Sequence, residues 1–162
     1  MAVNWVLPVR SVQAVLSVTV LGLMGYVASW WSSHWRQFSP TEVNFMIFAP
    51  AWSILALCAL TVVPWKMPHV ADQTIPKIAL LALEGLTMLF WFGGFIALAV
   101  FLSDRICFGT VCAVAKAGTA ISAFNWAVWA ASWVLCMLRT FNRGSATVSK
   151  GSEPKVEMHQ GV

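Results

Sequence analysis

Residues Ile78 to Leu102 read IALLALEGLTMLFWFGGFIALAVFL, and in these twenty-five positions one side chain, Glu84, is ionisable. A helix needs about 20 apolar residues to cross a bilayer core of about 30 Å, and this run exceeds that length. A soluble protein buries such a helix only inside a large core. Three more segments of the same kind surround it, at about 11–30, 43–63 and 117–138, and almost nothing remains to cover them. The stretch therefore belongs in lipid, and Glu84 is the one charge it takes there.

Composition agrees. The chain has 162 residues, 59% of them hydrophobic and 10% charged, where soluble domains run near a quarter charged. Mean hydropathy is +0.76. The reading is an all-α membrane protein of one domain, a four-transmembrane-helix bundle with short loops. A net charge of +4 raises the question of nucleic acid. Most of the basic residues, however, flank the apolar segments or sit in the tail, as topology determinants do, and no nucleic-acid partner is expected. Ten Trp and ten Phe against one Tyr suit a bilayer, since Trp favours its interfaces. No cleavable leader is expected, because Arg10 precedes an apolar run too long for a signal peptide and no A-x-A site follows.

Along the chain, residues 1–10 form a short lead. The first helix ends in WWSSHW, where Trp30, Trp31 and Trp35 anchor one water boundary. Ser39-Pro40-Thr41-Glu42 reads as a helix start. Pro50 predicts a kink in the second helix. From Arg139 the composition turns polar and Gly/Ser-rich, so 139–162 reads as a flexible tail. With both termini cytosolic, seven Lys and Arg lie inside and three (Arg36, Arg105, Lys116) outside, which favours that orientation.

Glu84 is the first candidate for function, because a carboxylate at membrane depth is expensive. It lies roughly 9 Å inside the cytosolic boundary at about 1.5 Å per residue. One reading is a proton- or cation-binding group. The other is a buried carboxyl that hydrogen-bonds a neighbouring helix, with Ser17 and Ser132 at similar depth as partners. No second intramembrane acid or His completes a relay, which favours the packing role. Asn125 is an expected interhelical hydrogen-bond donor.

Small residues mark expected helix contacts: Ala123, Ala127 and Ala131, Gly118 with Ser122, and Gly93-Gly94. Trp126, Trp129 and Trp133 recur at helical spacing on an adjacent face and are expected to meet lipid or a partner helix, with filling of the bundle as the alternative. Cys107 and Cys112 share one short external loop and form a disulfide candidate. Cys58 is read as a small packing residue. Cys136 is read the same way, with palmitoylation as an alternative. Ser145, Thr147, Ser149 and Ser152 among basic tail residues are phosphorylation candidates beside a solvated-tail reading. All three His lie in loops or the tail, so no imidazole pair is set to ligate haem, and no metal site is expected. There is no phosphate loop, nucleophile elbow or H-E-x-x-H, so no catalysis is expected.

Three stretches carry a family resemblance: EVNFMIFAPAWSIL, LEGLTMLFWFGGFIALA, and the run from Cys107 to Trp129 with Cys112, Lys116, Phe124 and Trp126. Over about residues 8 to 141 the chain resembles the MARVEL domain, particularly small fungal tetraspan proteins. Asn125 departs from the pattern, which often has an acid before the Trp. The resemblance implies roles in membrane apposition, vesicle trafficking and lateral organisation of the plasma membrane, with a relative associated with eisosomes.

The expected function is therefore non-catalytic: lateral association with lipids and integral membrane proteins, as an organiser of membrane domains or an accessory subunit. Expected partners are lipids, sterols, a membrane protein or a second copy, and no cofactor beyond bound lipid. The alternative is a small proton- or cation-coupled transporter centred on Glu84.

Overall fold

The computed structural model describes residues 6–35, 38–66, 74–104 and 109–150, with residues 74 and 141–150 as backbone only. It contains four helices, α1 (Val6–Trp35), α2 (Thr41–Lys66), α3 (Thr74–Ser103) and α4 (Thr110–Lys150). Each is long and apolar enough to cross a membrane. All four outrun their apolar segments. Backbone hydrogen bonding propagates at little cost once a helix is nucleated, so polarity marks the lipid boundary and not the helix end. Thus α1 begins before Arg10, and α4 continues to Lys150 through the stretch expected to be flexible from residue 139. α2 stays a single helix through both Pro50 and Pro64. At its start the Asn44 side-chain amide donates to the Ser39 carbonyl at 3.1 Å, and the Ser39 hydroxyl donates back to Asn44 Oδ1.

The helices form a four-sided ring. α1 packs on α2 and α4, and α3 packs on α2 and α4, while backbones do not approach across either diagonal. The inward seam of each helix follows alternate steps of three and four residues, the spacing of left-handed bundles. On α1 it is Arg10, Gln13, Ser17, Val20, Met24 and Val27. On α3 it is Glu84, Thr87, Trp91, Gly94 and Leu98, and on α4 Gly118, Ser122, Asn125, Trp129 and Ser132. The polar side chains of the spans are concentrated on these seams, while Val15, Leu55, Leu89 and Phe124 point outward. Lipid solvates apolar groups, so the polar ones are driven inside.

The ring is riveted where helices touch. Trp91 Nε1 donates to Ser53 Oγ at 2.8 Å and Trp52 Nε1 to Thr87 Oγ1 at 3.3 Å, tying α2 to α3. Phe45, Phe48, Trp52 and Phe90 form an edge-to-face cluster over the same seam. Three glycines allow close approach: a Cβ on Gly94 would run into Met46 and Phe45, one on Gly118 into Met24, and one on Gly85 into Trp133. Gly93, expected beside Gly94 as a packing residue, instead faces open space, because a one-residue step turns it about 100° off the seam.

Candidate functional site

Near the end that carries both termini, four side chains from three helices close a ring of donors and acceptors. The Arg10 guanidinium donates to Glu84 Oε1 at 2.7 Å and to Gln13 Oε1 at 3.0 Å. Gln13 Nε2 donates to Ser132 Oγ at 3.1 Å, and the Ser132 hydroxyl donates to Glu84 Oε1 at 2.7 Å. Arg10 has donors only, so Gln13 must turn its carbonyl toward it and its amide toward Ser132. Glu84 is 2% exposed and Arg10 8%. The guanidinium also lies 5.6 Å from the ring centroid of Trp129, a cation–π contact. The pair spans the α1–α3 diagonal, which backbone packing leaves open.

One turn or two deeper, Asn125 Nδ2 donates to Ser17 Oγ at 3.3 Å, and Ser17 donates to the Gln13 carbonyl at 2.7 Å. Asn125 Oδ1 and the indole nitrogens of Trp126 and Trp129 are buried without protein partners. Beyond this tier the axis is filled by Trp91, Met24, Met46 and Leu98, all fully buried.

On its other side the ring borders a cleft of about 290 Å³. Arg10, Lys77 and Arg139 line it with Glu84, and Leu60, Pro64, Leu80 and Leu81 form apolar walls. It shares Val6, Arg10, Leu60 and Pro64 with a groove of about 770 Å³ between α1 and α2 that Leu7, Thr61, Val62 and Trp65 also line. No group of His, Cys, Asp and Glu suited to a metal occurs among the described residues.

The family model for the MARVEL membrane-associating domain matches residues 4–135. The chain belongs to the MARVEL family. Comparison with curated proteins and with solved structures gives no match. The match extends from the lead to Leu135 and so takes in all four ring residues of this MARVEL domain.

Several expectations change on this geometry. Of the two serines matched to Glu84 by depth, Ser132 bonds it and Ser17 bonds Gln13 and Asn125 instead. Depth alone did not distinguish them; Ser132 is on the helix beside α3, and Ser17 is across the diagonal. Arg10, counted as a flanking topology charge, is the carboxylate's direct partner. The signal was available: Arg10, Gln13 and Ser17 continue the spacing of Val20, Met24 and Val27.

Trp126, Trp129 and Trp133 do not form an outward stripe. Trp129 is fully buried. Trp126 packs on Phe92 and Phe95 of α3, and Trp133 donates its indole N–H to the Leu81 carbonyl at 3.2 Å beside Gly85. The alanines expected to pack between helices face the other way: Ala127 and Ala131 are exposed and Ala123 is half-buried. Gly118 and Ser122 are buried as expected, Ser122 donating to the Gly118 carbonyl at 2.6 Å. The two groups exchange roles because 123, 127 and 131 are each displaced from the 118–122–125–129–132 seam. Cys112 is disulfide-bonded, whereas Cys58 and Cys136 are free thiols. Cys107 lies outside the described residues, as do Arg36, Arg105 and Ser152.

Proposed function

We propose that this MARVEL protein acts by lateral association with lipids and with another integral membrane protein, organising a plasma-membrane domain or serving as an accessory subunit. Both termini are assigned to the cytosol, and eisosome-like domains are the setting the resemblance to small fungal relatives suggests. The observation that carries the reading is the distribution of polarity. The interior charges are spent on one another in a closed ring, and the outward surface is left apolar.

The protein-facing part of that surface is assigned to α4. Its outward positions include Ala113, Ala117, Ala120, Ala127 and Ala131, where α3 presents Leu86, Leu89, Ile96 and Val100. Small residues let a second membrane helix approach closely, and that packing is what drives association in lipid. Against the transport alternative stands the engagement of Glu84 by Arg10 and Ser132, with a filled axis beyond it. A coupling carboxylate needs access to both sides.

Extraction of the tagged protein into native-lipid discs, with mass spectrometry of bound proteins, tests the reading. A stoichiometric membrane partner or second copy should be retained, and should be lost in Ala127→Leu/Ala131→Leu but kept in Leu86→Ala/Leu89→Ala. Recovery of a lone chain in every preparation, with proton flux abolished by Glu84→Gln, would instead establish transport.

A further inference from the structure

We infer that the cleft beside the Arg10–Glu84 ring is a binding site for one anionic phospholipid, with its phosphate in the cleft and its glycerol backbone against the α1–α2 groove. This rests on the lipid-association reading above and names the ligand class and the place.

The argument starts from charge. Three cations, Arg10, Lys77 and Arg139, line the cleft against one carboxylate. Glu84 is already held by Arg10 and by the Ser132 hydroxyl, and within the lining cations outnumber carboxylates three to one. Lys77 and Arg139 each engage other groups of the protein as well; what the site requires is their charge at its rim. Basic pockets between membrane helices near the headgroup level suit phosphate-bearing lipid heads. Lys77 lies in the first turn of α3, and Arg139 at the close of the membrane-crossing part of α4, which places both cations at the depth of a headgroup.

Shape points the same way. A volume of about 290 Å³ is near the lower bound of small-molecule sites, about 300 Å³, enough for a phosphoglycerol head and no whole lipid. The adjoining groove, about 770 Å³, lies between the start of α1 and the end of α2 and offers exposed Leu7, Val62 and Trp65 as apolar surface at the level of a lipid's glycerol backbone. Between α1 and α4 the neighbouring space is only about 20 Å³, too small for any part of a lipid. A free phosphate ion would gain the charge and leave the apolar walls and groove unused.

The test uses the full chain purified in detergent and delipidated, with binding followed by native mass spectrometry and by thermal stabilisation. The probes are phosphatidylglycerol, phosphatidylcholine, glycerol 3-phosphate and inorganic phosphate. One phosphatidylglycerol per chain should bind at least tenfold more tightly than phosphatidylcholine, and the soluble phosphates should not bind at matching concentrations. Lys77→Gln/Arg139→Gln should weaken phosphatidylglycerol about thirtyfold. Leu80→Trp, which keeps every charge and fills the cleft, should weaken it as well, and both variants should keep the wild-type helical content. Equal binding of the two lipids, equal binding of soluble phosphate, or unchanged affinity in both variants overturns the site. Disc extraction separates the two proposals: a retained protein partner with no anionic-lipid preference defeats this site and leaves the association reading standing.

Discussion

At the scale of single residues, the energetics centre on Arg10 and Glu84. Removing one member of a buried ion pair leaves an uncompensated charge and costs about 3–5 kcal/mol. Arg10→Met or Glu84→Gln alone should therefore lower unfolding stability in a bilayer mimetic by about that much. The double variant should recover most of the loss, because no charge is then stranded. A residue of about 1–3 kcal/mol should persist, since Gln13 Oε1 loses its donor. Single variants within 1 kcal/mol of wild type would show that the ring does not hold the α1–α3 diagonal. Of this site, Glu84 was legible in the sequence because a lone acid in an apolar run is costly unless other groups engage it. Its partner was not, because Arg10 stands at the edge of an apolar segment, where an arginine usually marks topology. Only the three-and-four spacing that joins Arg10 to Met24 and Val27 distinguishes the two roles.

At the scale of elements, a one-residue difference on a helix decides which surface a side chain meets. Gly93 and Gly94 are adjacent and small, yet a Cβ on Gly94 meets Met46 and Phe45 where one on Gly93 meets nothing. Gly94→Val should cost about 1–3 kcal/mol by overpacking, and Gly93→Val should stay within about 0.5 kcal/mol, as surface changes do. Thermal melts of the two variants side by side check this, and equal effects would mean that the α2–α3 seam is misplaced. The same comparison on α4 sets Trp129→Ala, about 3–5 kcal/mol for a fully buried aromatic, against Ala127→Leu, within about 0.5 kcal/mol. A milder effect at Trp129 than at Ala127 would return the tryptophans to the outer face. Four spanning helices were legible from apolar length alone. Their rotation was not, because in lipid both faces of a helix are apolar, and large aromatics serve equally well inside and outside. The polar positions carry that information: Ser122, Asn125 and Ser132 fix the inward face of α4, and with it Trp129 inside and Trp126 and Trp133 against α3.

For the whole molecule, burial of Arg10 changes the basis on which orientation is argued. A charge paired inside the bundle no longer seeks the cytosolic water layer, so it drops out of the count of flanking cations. Six Lys and Arg then remain on the side of the termini against three on the other, and the asymmetry still favours the proposed orientation with both termini cytosolic. Three of the six are Lys66, Lys77 and Arg139, which lie close to the ends of membrane-crossing segments, where such charges act most strongly. A protease site appended to the C-terminus should therefore resist cleavage in sealed right-side-out vesicles and become sensitive when they are opened. Arg10→Met should leave that pattern unchanged while lowering stability. Lys66→Gln/Lys77→Gln/Arg139→Gln, which reduces the six to three, should yield a mixture of orientations and hence partial cleavage in intact vesicles. Were Arg10→Met alone to produce the mixture, Arg10 would act during insertion as a flanking charge, and its pairing with Glu84 would be a later event of folding.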